Sequence, residues 1–144
     1  MLRTALISDR RFLKHFAGRS HPERPERAAV MIEMAKELHR SGIVALSPRE
    51  ASVAELELCH DPAHVAMVER SASMLRYDFD PDTRASPDSY RTALLAVGGV
   101  LTAVEAVMDG FADNAFAIVR PPGHHALATC AMGFCLFNNV AVAA

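Results

Sequence analysis

Two adjacent imidazoles, His124 and His125, end the run Arg120-Pro121-Pro122-Gly123-His124-His125. Histidine is the side chain best matched to proton transfer near neutral pH. Two prolines and a glycine ahead of the pair fix the conformation of the loop that carries it. The apolar run Ala115 to Val119 precedes that loop and reads as a buried parallel strand. Ligand sites in open α/β sheets lie just beyond the carboxyl ends of strands, so the pair stands where a substrate would bind. The plain alternative is a turn with two surface histidines.

Other reactive side chains carry weaker signals. His60 and His64 have the i, i+4 spacing of a metal pair, but Pro62 starts a helix between them and leaves His60 outside it. Cys130 and Cys135 flank the loop without a CxxC spacing. Their apolar surroundings raise a thiol pKa, so packing is the better reading than a nucleophile. The bases Arg10, Arg11, Lys14, Arg19, Arg24 and Arg27 are mixed with acids and lack interleaved aromatics, which argues against a nucleic-acid patch. Met31, Met34 and Met67 read as core.

The elements that must position these residues alternate between strand and helix. Strands are expected at Thr4–Ile7, Ile43–Leu46 and Ala115–Val119. Helices are expected from the Pro25 region to Leu38, stopped by Gly42, and over Ser52–Leu58, Pro62–Arg70 and Asp88–Met108. Asp61 is a plausible N-cap, and Ser86-Pro87 reads as a further cap with a first-turn proline. Gly98-Gly99 inside the long helix implies close packing on a neighbour, and Gly110 closes it. Arg10–Ser20, an acidic Tyr77–Asp88 and Arg120–Gly133 read as loops, and the chain turns helical from Phe134. This alternation indicates an α/β fold with a parallel sheet.

A chain of 144 residues suits one domain with a real core, and 51% hydrophobic with 22% charged residues excludes a disordered chain. No uninterrupted apolar run reaches the roughly 18 residues that span a bilayer, and the N-terminus has no secretory signal pattern. Three cysteines are too few for a disulfide framework, so a cytoplasmic location is expected. Residues 1–40 carry a net charge of +4 and residues 41–144 a net of −6. The 24 residues after Arg120 hold no Asp, Glu, Lys or Arg. Such a stretch is normally buried mid-domain, which suggests the front part of something longer.

The run Met132-Gly133-Phe134-Cys135-Leu136-Phe137-Asn138-Asn139-Val140-Ala141, taken with the proline loop, resembles the histone deacetylase and acetylpolyamine amidohydrolase superfamily. Asn138-Asn139 looks like its class II-type bacterial members. His15 with His21-Pro22-Glu23-Arg24-Pro25-Glu26-Arg27 is similar to the family's N-terminal signature. Asp80-Pro81-Asp82-Thr83, Ser86-Pro87, Ser89-Tyr90 and Gly98-Gly99 follow in the family's order. The resemblance implies an arginase/deacetylase-like parallel sheet, of which residues 1–144 form the N-terminal part of a single three-layer α/β/α domain. It also implies a zinc-dependent amide hydrolase acting on acetyl-lysine or acetylpolyamine substrates. By the same resemblance His125 is the general base and His124 its electrostatic neighbour. Gly133 lines the substrate channel, Phe134 flanks the alkyl chain, Asp82 lies at the rim, and Arg27 sits in an inner cavity below the metal.

The sequence departs from the family in one respect. The family's Asp-x-His motif and second Asp, which bind zinc, come after the His-His loop, and this chain has no Asp or His beyond His125. The carboxylates that orient the imidazoles and the tyrosine that stabilises the oxyanion also come later in the family; Tyr77 and Tyr90 match neither. The expectation is therefore no metal ligands in this chain and no activity from it alone. Two readings stay open: a segment of a zinc deacetylase, or a non-catalytic truncated product that associates through an uncovered apolar face. Neither nucleic acid nor membrane is an expected partner.

Overall fold

The computed structural model describes residues 2–38 and 42–144. Its centre is a parallel sheet of β1 (Thr4–Ser8), β2 (Ile43–Leu46) and β5 (Asn114–Ile118), in the order β2-β1-β5. Side chains alternate across a strand, and β1 uses both faces. Leu6 joins Ala28, Ile32 and Ala35 of α1 (Pro25–Glu37) on one side. Ala5 and Ile7 join Ala103 and Ala106 of α4 (Ser89–Met108) on the other. The result is an α/β/α sandwich, as the strand–helix alternation implies.

The largest core cluster lies beyond the sheet. It joins α2 (Val53–Leu56), α3 (Pro62–Ser71), α4 and α5 (Asn139–Ala143) around Leu56, Val68, Leu94, Leu136 and Phe137. Caps set these helices. Ser52 and Glu55 form a reciprocal capping box on α2, and the Asp61 carboxylate accepts from Ala63 N–H at 2.8 Å at the start of α3.

Several expectations are corrected. Residues Arg10–Lys14 form a 3-10 helix rather than a loop, because Asp9 caps Arg11 N–H at 2.7 Å and Phe12 is fully buried. The acidic stretch after Tyr77 is a hairpin of β3 (Tyr77–Asp80) and β4 (Thr83–Ala85). Its period-2 signal, Tyr-Asp-Phe-Asp, is masked by the acids; Tyr77 packs on Phe79 while Asp78 pairs with Arg76 and Arg84. Helix α4 begins at Ser89, and the Ser89 hydroxyl reaches back to accept from Ser86 N–H at 2.8 Å, so Ser86-Pro87 is not its cap. Residues 134–138 are irregular, and α5 starts only at Asn139.

Strand β5 is not buried throughout. Phe116 is 53% exposed, because α1 covers Leu6 and Ile118 but not the outer edge. On α1 the buried stripe runs 28, 32, 35, which leaves Met31 and Met34 exposed; Met67 is also exposed. Helix α4 is long and apolar enough to cross a membrane by length and composition, a property that Arg91 and Glu105 hide from a search for an uninterrupted run. Most of it is buried within this core, which accounts for its apolar character.

The expected close approach at Gly98-Gly99 is present. A Cβ on Gly98 would lie 2.0 Å from the Arg49 carbonyl oxygen, and one on Gly99 would lie 3.0 Å from Val119 Cγ1. The segment between β2 and α2 thus lies directly on α4, with Ala51 N–H donating to Leu94 O at 3.0 Å. Gly98→Ala should cost about 3 kcal/mol, the upper end for overpacking, since main chain must move. Gly110→Ala, at φ +69° with nothing within 4 Å, should cost only the left-handed backbone penalty of about 1–2 kcal/mol. Urea unfolding of the two variants checks the order.

Candidate active site

The loop after β5 begins with a buried charge. Arg120 is 2% exposed, and its Nε donates to Glu23 Oε1 at 2.6 Å. Its Nη1 donates to the carbonyls of Phe12, at 3.2 Å, and His15. Glu23 is also buried, and its second carboxylate oxygen faces His15 Nε2 at 3.5 Å. His15 Nδ1 lies 2.8 Å from Ser89 Oγ. Burial first, then the Arg120 charge, lowers the His15 pKa to about 3, so this ring is neutral.

The loop then turns against α5. A Cβ on Gly123 would lie 2.4 Å from Asn139 N, so this position admits only glycine. Asn139 Nδ2 donates to Pro121 O at 3.3 Å, and Asn138 Nδ2 donates to Ala126 O at 3.0 Å. Asn138 Oδ1 also caps α5 at Ala141 N–H. The two amides therefore grip both ends of the histidine loop.

Between them His124 and His125 are exposed, with ring centroids 4.3 Å apart. His125 packs on Gly133, where a Cβ would fall 2.7 Å from His125 Cβ and Cγ. Gly133 and Phe134 are consecutive left-handed residues, at φ +56° and +69°. Phe134 is a strained position for a non-glycine residue, and it is held from two sides. Its N–H donates to Thr83 Oγ1 at 3.0 Å, and its ring meets His21 edge-on at 4.9 Å. His21 Nδ1 accepts from Glu23 N–H, so Nε2–H donates to Asp82 O at 2.9 Å. Cys135 accepts from His125 N–H at 3.5 Å and donates to Gly133 O at 3.2 Å. Burial raises its thiol pKa, which suits a packed thiol and not a nucleophile.

An exposed imidazole pair on a braced loop beyond a parallel strand fits proton-transfer chemistry. Residues 21–144 match the histone deacetylase domain family. The chain belongs to the histone deacetylase family. Histone deacetylase 15 of Arabidopsis thaliana is 39% identical over 150 residues, covering 98% of this chain and 27% of that protein. A probable deacetylase of Archaeoglobus fulgidus is 35% identical over 142 residues, covering 96% and 39%. Human polyamine deacetylase HDAC10 is 40% identical over 133 residues, covering 85% and 19%. The crystal structure of the HDA15 HD domain superposes with a TM-score of 0.90 at 37% identity, covering 98% of this chain and 42% of that one. The chain thus spans less than half the length of these relatives.

Within this histone deacetylase frame, the structure brings His124, His125, Gly133 and Phe134 together, with Asp82 joined to them through His21. Asp82 acts through its carbonyl, while its carboxylate stays at the exposed hairpin turn. Arg27 does not join them. It is exposed on the first turn of α1 and is not enclosed in an inner cavity by the described residues. The buried guanidinium is that of Arg120. Its signal was in the sequence: a lone charge at the head of an uncharged stretch has to be paired if it is buried. Thr83, Asn138 and Asn139 are further site residues whose roles spacing does not show. Among the described residues no group of three His, Cys, Asp or Glu side chains could hold a metal ion, so these residues do not fit a zinc site by themselves.

The buried neutral histidines predict acid sensitivity. The His15 pKa is depressed in the folded chain, so its contribution to stability is complete above the ordinary 6.5 and is lost as pH falls toward about 3. The slope over that window is about 1.4 kcal/mol per pH unit from this residue. Burial depresses His60 and His64 in the same direction. Urea midpoints measured across this range should fall on acidification, and His15→Gln should make the fall shallower.

Proposed function

We propose that this chain supplies the proton-transfer wall of a zinc-dependent deacetylase that removes acetyl groups from acetyl-lysine or acetylpolyamine substrates. The observation that carries the reading is the exposed His124–His125 pair, clamped by Asn138 and Asn139 and seated on Gly133 beside Phe134. His125 accepts a proton from water as the water oxygen bonds the acetyl carbon. The proton passes to the departing amine as the C–N bond breaks. His124 shapes the charge around its neighbour. Phe134 and Gly133 flank the alkyl chain, and Asp82 stands at the rim. Zinc belongs to this reading through the family, and its ligands have to come from outside this chain. Three free thiols, Cys59, Cys130 and Cys135, support a reducing, cytoplasmic setting.

The open edge at β5 with exposed Phe116 favours a second reading, an association module without turnover. One experiment separates the two. The purified chain is assayed for zinc content and for turnover of a fluorogenic acetyl-lysine substrate, and residues 1–144 are also grafted in place of the matching segment of the HDA15 HD domain. The chain alone should hold less than one equivalent of zinc and show no turnover. The graft should turn over, and His125→Ala should lower its kcat about 100-fold or more. A folded graft without turnover, or one indifferent to His125→Ala, sinks the deacetylase reading.

A further inference from the structure

His60 takes no part in the chemistry above, yet it is 3% exposed and both ring nitrogens are engaged. Nε2 lies 2.9 Å from the Asn138 main-chain nitrogen, and Nδ1 lies 3.0 Å from the Leu127 carbonyl oxygen. A main-chain N–H can only donate and a carbonyl can only accept. The ring is therefore neutral, with its proton on Nδ1 and its lone pair on Nε2. Leu127 and Asn138 bound the loop that carries Gly133 and Phe134, and Asn138 also holds Ala126, the residue after His125. Asp61 N–H adds a strut to Ala128 O at 2.8 Å.

We propose that His60 is a positioning residue: its neutral Nδ1–H form spans the 127–138 loop and holds Gly133 and Phe134 against His125. A second proton on the ring would set a donor against the Asn138 N–H and open that end of the loop. The surroundings oppose that proton. His64 faces the ring from α3, with centroids 5.2 Å apart, and its Nε2 donates to Leu136 O at 2.9 Å. Phe137 covers another side at 5.5 Å, with Tyr90 of α4 beyond it. Cys59 and Asp61 flank His60 in sequence; the thiol donates to Ala141 O, and the carboxylate caps α3 and acts on His64. From the loop side the ring is bonded to main chain at Leu127 and Asn138, Ala128 lies beside it, and the Phe137 ring adds no charge. Burial and the neighbouring His64 both lower the His60 pKa.

That this loop is a substrate wall rests on the deacetylase reading; the coupling of ring to loop does not. Long-range proton–nitrogen spectra of the labelled chain read the tautomer directly, and the Asn138 and Leu127 amides are followed from about pH 7.5 to about pH 4.5. The expected result is an Nδ1–H ring, with both amides shifting at the midpoint of the ring itself. In His60→Gln, whose amide can both donate and accept but does not titrate, that midpoint vanishes and Asn138 exchanges at the rate of the parent chain. In His60→Ala, exchange at Asn138 rises about tenfold or more. An Nε2–H ring, an Asn138 amide that ignores the ring, or unchanged exchange in His60→Ala overturns the proposal. If the alanine variant does not fold, the parent titration and His60→Gln decide. None of these readouts needs turnover, so a failed deacetylase assay and a failed positioning role give different results.

Discussion

The ion pair between Arg120 and Glu23 is the constraint on which the site depends. Both groups are buried, and removing either would leave an uncompensated charge, which costs about 3–5 kcal/mol. The pair joins the loop after β5 to the segment between β1 and α1. These two strands are neighbours in the sheet, and their carboxyl ends are where an α/β fold places its ligand site. Arg120 also takes the carbonyls of Phe12 and His15, so it ties down the 3-10 helix and its C-terminal end. One guanidinium therefore orders the floor beneath the histidine loop. Among the described residues Glu23 Oε2 and Arg120 Nη2 have no hydrogen-bond partner, so the pair is compensated by charge more than by complete hydrogen bonding.

From this pair, order spreads in two directions. Through Glu23 it reaches His21, and through His21 it reaches Asp82 and the ring of Phe134. Along the chain it reaches Gly123, where Asn139 closes on the glycine, and then the two exposed imidazoles. The described histidines divide by environment. His15, His21, His60 and His64 are buried, and each engages main chain or a fixed side chain. His124 and His125 are exposed. The same side chain is a packed strut where water is excluded and stands open to solvent where it is not.

How much of this was legible in the sequence depends on the range of the signal. The strands, the cap at Asp61, the glycine pair in α4 and the histidine loop all declare themselves within a few residues. The hairpin at Tyr77–Ala85 was hidden because acids on a two-residue period look like a polar loop when their partners, Arg76 and Arg84, are not paired with them. The exposure of Met31, Met34 and Phe116 depends on what covers a face, and composition does not record that. The burial of Arg120 has the same origin: Glu23 and Arg120 are 97 residues apart, and only the fold joins them.

Among the described residues the candidate metal donors near the histidine loop are already used in structure. Around the histidine loop nearly every candidate ligand already has a structural partner. Cys135 is bonded to Gly133 O, Glu23 to Arg120, His60 to the main chain on both sides, and Asp80 to Asp82 N–H and the Thr83 hydroxyl. Diverting any of them to a cation would break a brace that sets the loop. The braces themselves lie wholly within the chain: Gly123 on Asn139, Gly133 on His125, and His60 across Leu127 and Asn138. The imidazole pair is thus placed by packing and hydrogen bonds before any ligand arrives. Preorganised groups of this kind act without reorganisation at the moment of reaction.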